Sequence, residues 1–380
     1  MIKSKLPNVG TTIFTRMSAL AAEHGAINLS QGFPDFDAPV ALREAMARNV
    51  MAGHNQYAPM AGVLRLREQI AMQLDLHRGV ACNPDSEITV VPGATEGLFC
   101  AIMACVRTGD EVILFDPSYD SYQPSIELAG GRAIHVPLSG DDFLLDRERL
   151  ESALSPRTRL IMINSPHNPS GSVLSRDDLV YLQALVEQHD LLLISDEVYE
   201  HLVYDGRPHH SVLEFPGLRA RSFAFFSFGK TFSVTGWKTG YCVAPPALTA
   251  ELRKVHQFVS FVAVTPVQLA LADFMQAEPD YAATLASFYQ HKRDLFCEGL
   301  AGSGFKIKPS AGTYFQLLDY SALSAERDTV LCEQWTRQHG IASIPISVFY
   351  EEPPPQHLLR FCFAKSDPVL RAATERLCEI

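Results

Sequence analysis

Ser222-Phe-Ala-Phe-Phe-Ser-Phe-Gly-Lys230-Thr-Phe-Ser-Val-Thr-Gly-Trp-Lys238-Thr-Gly240 is a run dense in phenylalanine that stops at Gly229 and presents one lysine, after which Ser, Thr and Gly replace the apolar pattern. A buried strand ending on a lysine leaves the ammonium two choices, to reach water or to be desolvated. Desolvation lowers its pKa toward that of a usable amine nucleophile, which makes Lys230 a Schiff-base candidate. Ser227 and Lys238 bracket it with a hydroxyl and a cation, group types that hold a phosphate. A lone lysine at such a place is more often exposed in a surface turn, so the neighbouring stretches decide.

Upstream, the same grammar repeats: an apolar strand, then polar residues at its end. Leu191-Leu-Leu-Ile-Ser195-Asp196-Glu197-Val-Tyr199 suits a central parallel strand covered on both faces, with an acid at the C-terminal end, where such sheets bind ligands. Arg159-Leu-Ile-Met-Ile-Asn-Ser-Pro-His-Asn168-Pro-Ser-Gly171 halts in a Pro/Gly turn. Glu111-Val-Ile-Leu-Phe leads to Asp116-Pro-Ser-Tyr119-Asp-Ser-Tyr122, where an aromatic can cover a flat ring. Ile88-Thr-Val-Val precedes Pro92-Gly93-Ala94-Thr95-Glu96-Gly97 and an apolar helix over 98–106. That turn offers free N–H groups and a hydroxyl to an anion, although capping alone explains the threonine equally well. Between the strands the spacing predicts helices over 63–76 and 177–188, an alternation that gives an α/β chain. Beyond Lys238 it predicts helices over 247–275 and 281–300, then a mixed C-terminal part.

The series resembles the class I aminotransferases, and Ser227-Phe-Gly-Lys230 followed at Lys238 by a second cation resembles their pyridoxal-phosphate lysine signature. The signature normally ends in arginine; Lys238 keeps the charge and loses the planar two-pronged grip. The resemblance runs from about Ile27 to Arg360. Within the class, Asn28-Leu-Ser-Gln-Gly32-Phe-Pro-Asp-Phe36 and Ser227-Phe-Gly-Lys-Thr231 are most similar to bacterial methionine aminotransferases and their kynurenine aminotransferase (glutamine transaminase K) relatives. The resemblance implies the aspartate-aminotransferase-like fold type I: a large doubly wound domain over 45–280 and a small α+β domain from 1–44 and 281–380. It implies pyridoxal 5′-phosphate held by Lys230. Gly93, Ala94, Thr95, Ser227 and Lys238 would lie at its phosphate, Tyr119 on the ring, Asn168 and Tyr199 at the phenolic oxygen and Asp196 at the ring nitrogen. Tyr57, in Asn55-Gln-Tyr-Ala-Pro-Met-Ala-Gly62, would reach a partner's cofactor across a homodimer. Gly32 and Arg360, the one arginine of Leu358-Leu-Arg-Phe-Cys-Phe363, would receive the substrate, Arg360 through the α-carboxylate.

Composition narrows the partners. A formal net charge of −11, with no stripe of Lys and Arg, argues against nucleic acid and anionic membrane. No apolar run is long enough to cross a bilayer, and the basic N-terminal residues have no apolar stretch behind them, so a cytoplasmic address is expected. The eight cysteines are scattered without a C-x-x-C pair, and H-E-x-x-H is absent, so neither disulfides nor a metal site is expected.

The implied reaction is transamination, with Lys230 as proton carrier between an amino acid and a 2-oxo acid. In the aspartate enzymes a second cation meets the side-chain carboxylate, whereas Phe258-Val-Ser-Phe-Val-Ala-Val-Thr-Pro266 carries no charge. Methionine, aromatic and other neutral donors are therefore expected over Asp and Glu. A carbon–sulfur β-lyase would use the same residues and stays open. A pyridoxal-phosphate regulator would need a DNA-binding region ahead of Asn28, and too few residues precede it.

Overall fold

Residues 2–380 are described by the structure, a computed structural model. Seven strands form the central sheet: β1 (Ile88–Val91), β2 (Glu111–Asp116), β3 (Arg132–Pro137), β4 (Thr158–Asn164), β5 (Leu192–Asp196), β6 (Ser222–Ser227) and β7 (Gly240–Val243). Their order is β1-β7-β6-β5-β4-β2-β3. The strands β2 to β6 pair in parallel, and β7 runs antiparallel between β1 and β6. The ends of β1, β4, β5 and β6 therefore lie at one edge, where the register pairs Asn164 with Asp196 and sets both Val91 and Ser227 against Gly240.

Alternation along β6 explains how both faces are covered, since successive side chains of a strand point to opposite sides. Phe223 and Phe225 pack with Leu98, Ile102 and Leu252 of the helices Ala94–Cys105 and Pro246–Val259. Ala224 and Phe226 face the opposite core, built with the helices Leu64–Arg78, Arg176–Gln188 and Thr265–Ala277. All four of these β6 residues are buried, and each phenylalanine contributes roughly 1.5–3 kcal/mol. At Gly97 a Cβ would lie 2.6 Å from the Phe225 ring, so the glycine lets the helix settle directly onto the sheet.

A third core joins the two chain termini. Met17, Leu20 and Leu29 pack with Tyr289, Phe296, Trp335, Leu359 and Phe361. Ile27–Asn28 pairs in parallel with Ile341–Ala342, and an antiparallel sheet runs in the order Ile344–Pro345, Leu358–Cys362, Phe315–Asp319, Lys306–Ile307.

Among the element boundaries that differ from the sequence expectation, three bear on the site. The helix expected over 247–275 is two helices, separated at Ser260–Val264: Phe261 takes φ +68°, and Pro266 in the first turn of the second helix has no N–H to continue the first. The helix expected from residue 98 begins at Ala94, directly after Gly93. The strand carrying the lysine ends at Ser227, and Phe228–Thr231 forms one helical turn that presents Lys230.

Candidate active site

A cavity of about 280 Å³ opens at the C-terminal edge of the sheet, lined by the strand ends and by the segments from the two chain termini. Strand ends bring Asn164, Asp196 and Ser227 to it, and the turn after β1 brings Gly93, Ala94 and Thr95. The segments from the two chain termini contribute Phe14, Gly32, Phe315 and Arg360.

Lys230 is half-buried and donates to the Tyr314 hydroxyl at 2.6 Å and to the Gly32 carbonyl at 3.2 Å. Burial is the main cause that pulls its pKa from 10.5 down to about 8; the cations Lys238 and Arg360 act in the same direction, and Asp196 opposes them. An appreciable fraction of the amine is therefore neutral near neutral pH, as a nucleophile or a base requires.

Asp196 ends β5 with 5% of its surface exposed. Burial pushes its carboxyl up, against the Tyr122 hydroxyl, which donates to Oδ2 at 2.6 Å, and the Val198 N–H, which donates to Oδ1 at 3.3 Å. Asn164 ties the neighbouring strand in: its amide donates to the Asp196 carbonyl at 2.8 Å, and its Oδ1 accepts from the Asn168 N–H at 2.8 Å.

Arg360 is 1% exposed. Its Nη1 donates to Asn168 Oδ1 at 2.7 Å and its Nη2 to the Ser30 carbonyl at 3.0 Å, while Nε has no partner. Its guanidinium lies 3.9 Å from the centre of the Phe315 ring, 5.2 Å from Phe14 and 5.4 Å from Phe349. Stacked rings stabilise the cation without neutralising it, and no carboxylate pairs with it among the described residues. A buried guanidinium with a free N–H is suited to an incoming planar anion.

Gly93 sits at φ +83° ahead of the helix Ala94–Cys105, and a Cβ there would lie 3.2 Å from Lys238 Nζ. The bare glycine thus leaves the first-turn N–H groups and a lysine ammonium facing the same space, an anion cradle to which Thr95 and Ser227 add hydroxyls. Tyr199 is buried beside Lys230, its ring centre 5.4 Å from Nζ, and desolvation raises its phenol well above the ordinary value. Desolvation and the nearby Asp120 likewise push Tyr119, on the cavity wall, up to about 12.

Every site residue expected from the sequence lines this cavity except Tyr57, which is 84% exposed at the surface and meets Phe261 edge-on at 5.5 Å. The sequence reading missed Asn164, Tyr122 as a partner of Asp196, Tyr314 and the aromatic stack on Arg360. Asn164 could have been found, since it ends its strand as Asp196 does. Tyr314 carries no local signal, because only the tertiary fold brings it to the lysine. An anion cradle, a buried acid, a low-pKa amine and an arginine with an open N–H together fit a planar, phosphate-bearing aldehyde cofactor and a carboxylate substrate.

A family model described as aminotransferase class I and II matches residues 24–377. The chain is 52% identical to the methionine aminotransferase of Escherichia coli (strain K12), over 100% of this chain and 98% of the relative. It is 35% identical to the mouse kynurenine–oxoglutarate transaminase 1, over 96% of this chain and 93% of that protein. A solved E. coli structure for which a methionine aminotransferase function was identified superposes with a TM-score of 0.98 at 52% identity, covering 100% of both chains.

Proposed function

The chain belongs to the class I and II aminotransferases and has their aspartate-aminotransferase-like fold, and from that premise we propose that it is a pyridoxal-phosphate-dependent transaminase that moves the amino group of methionine or another neutral, bulky amino acid to a 2-oxo acid. The observation that carries this reading is the convergence of Lys230, Asp196 and Arg360 on one cavity whose wall also holds the rings of Phe14, Tyr119, Tyr122, Tyr199 and Phe315.

When bound, the cofactor supplies a carbonyl that takes up the amino group and a ring that withdraws the electron pair left at Cα. Gly93, Ala94, Thr95, Ser227 and Lys238 would hold its phosphate, and Tyr119 would cover its ring. Asn168 and Tyr199 would hold the phenolic oxygen. Asp196 would keep a proton on the ring nitrogen; its buried carboxylate is most stable opposite a cation, so each charge favours the other. Arg360 would take the substrate α-carboxylate, with Nε free for it, and thereby orient the Cα–H bond toward Lys230. Lys230 would carry the proton from Cα, its neutral form made accessible by burial.

Substrate choice follows from charge. The cations lining the cavity are Lys230, Lys238 and Arg360, which leaves none for a side-chain carboxylate. Desolvating such a carboxylate without a partner costs several kcal/mol, whereas apolar side chains gain roughly 25 cal/mol per Å² buried. We assign the molecule a homodimeric state, in which Tyr57 and the uncharged Phe258–Pro266 segment serve the neighbouring subunit's site, and a cytoplasmic location. Supporting these are the exposed Tyr57, Phe258 and Val264, and eight cysteines that are all free. The core that joins Met17, Leu20 and Leu29 to residues beyond 285 supports a small domain from 1–44 and 281–380 beside a large domain over 45–280, with Ala38 and Leu42 packing on the large side and Tyr199, Leu202 and Tyr204 on the small side.

The test is kcat/KM across a donor panel with one fixed 2-oxo acid. Methionine and phenylalanine are expected to outrun aspartate and glutamate. Aspartate as the best donor would overturn the pocket argument, and stoichiometric pyruvate and ammonia from cystathionine without an acceptor would redirect the reading to the carbon–sulfur lyase.

A further inference from the structure

Outside the cavity, the helix Ala94–Cys105 places Glu96 and Cys100 one turn apart on the face that meets the helix Pro246–Val259, and His256 of that second helix points between them. Glu96 Oε1 lies 2.9 Å from His256 Nδ1, 3.3 Å from Cys100 Sγ and 2.8 Å from Ser260 Oγ. One donor atom from each of Glu96, Cys100 and His256 falls within 4.8 Å of the others. His256 and Cys100 are fully enclosed.

The cluster is incompletely satisfied. Glu96 Oε2 and His256 Nε2 are both buried without hydrogen-bond partners. Among the described residues no Lys or Arg pairs with Glu96, whose one basic neighbour is His256. Three donors crowd onto a single carboxylate oxygen while the other has none.

We propose that Glu96, Cys100 and His256 form a binding site for a divalent cation of the zinc class, with Ser260 or a water completing four-coordination. Carboxylate, thiolate and imidazole are the ligand types such an ion prefers. Tetrahedral coordination at bond lengths of about 2.0–2.3 Å spaces the ligand atoms roughly 3.3–3.6 Å apart, so the contacts to Glu96 Oε1 need to open by only a few tenths of an ångström, and Cys100 and His256 already lie within 4.8 Å of each other. Binding is balanced by loss of the Cys100 proton: the thiol, now donating to Glu96, becomes a metal-bound thiolate and releases one H⁺ to solvent, while the neutral His256 shifts its Nδ1 proton to Nε2 so that Nδ1 can ligate. The +2 ion then meets two anions and a neutral imidazole, leaving no net charge in the buried site. Neither the cofactor nor the transamination reading enters this argument.

The ion would clamp the two helices together. Its helix is the one whose N-terminus forms the anion cradle, and Ser260 begins the loop that turns at Phe261 toward Tyr57. Zinc should therefore raise the Tm of the holoenzyme.

The experiment is equilibrium dialysis of chelator-treated holoenzyme against zinc and, separately, cobalt. One ion per chain is expected, and the cobalt form should show tetrahedral d–d bands with thiolate charge transfer. Cys100→Ser and His256→Gln should each weaken binding at least tenfold, with Cys105→Ser on the same helix unchanged. No stoichiometric ion, or binding that persists unaltered in both variants, overturns the proposal. Should either variant fail to fold, X-ray absorption on the zinc-loaded wild type decides. One sulfur ligand at about 2.3 Å supports the site, and a shell of nitrogen and oxygen alone overturns it.

Discussion

At the scale of single residues, Lys230 carries two predictions. Borohydride reduction of the cofactor-loaded protein is expected to fix the cofactor to the peptide holding Lys230; a label on any other lysine refutes the assignment. The second prediction concerns stability. The folded pKa of about 8 lies below the ordinary 10.5, so the folded chain binds fewer protons than the unfolded one between those values. The cost of burying the ammonium is thus fully present below about pH 8 and is relieved as pH rises toward 10.5. Lys230→Met should abolish turnover, yet raise the cofactor-free Tm at pH 7, with the gain fading by pH 10.5. A gain that calorimetry finds independent of pH would contradict this. At Asp196, substitution by Asn cannot hold a pyridinium proton and should lower kcat on the order of 100-fold or more. Tyr122→Phe removes a donor to that charged carboxylate, worth about 1.5–3 kcal/mol, and should lower kcat roughly tenfold with little change in KM. Lys230, Asp196 and Asn168 could be named as candidates from the sequence because each follows an apolar run that ends abruptly. The sequence could not show Tyr314 or the pairing of Glu96 with His256, since those contacts join residues far apart in the chain.

At the scale of elements, the strands were legible because buried parallel strands are continuous apolar runs, and β2, β4, β5 and β6 all lie where such runs occur. The segment Phe258–Val264 misled for the same reason. It is as apolar as the helices on either side, and its break depends on a positive φ at Phe261 and on Pro266, not on any change in hydropathy. The turn at Gly93 gives the prediction at this scale. Alanine there would occupy an extended conformation at positive φ (φ +83°, ψ 153°) open essentially to glycine alone, costing about 1–3 kcal/mol, and push against Lys238 Nζ. Gly93→Ala should weaken cofactor binding roughly tenfold, one decade per 1.4 kcal/mol, while leaving the far-UV circular dichroism unchanged. Titration of the apoprotein with cofactor, followed by absorbance, checks it; undiminished affinity would remove the cradle from the account.

At the scale of the whole molecule, Tyr57 and Phe258 are 84% and 85% exposed, and the sequence could name Tyr57 only through its resemblance, because no property of one chain says what a surface tyrosine touches in another. Mixing Tyr57→Phe with Lys230→Ala protein should produce hybrid dimers with one intact site and restore activity above that of either parent. An active monomer in sedimentation would refute the shared site. The antiparallel strand β7 has a consequence for biosynthesis. The first strand of the sheet, Ile88–Val91, pairs only with Gly240–Val243, so it waits without a partner until about 150 further residues have been made. At 5–20 residues per second that is roughly 8–30 s, during which an apolar edge stays open to chaperones and to other nascent chains. The same insertion brings Lys238 to Gly93, so the anion cradle closes late, and a growing polypeptide cannot capture its phosphate before the last strand of the sheet has left the ribosome.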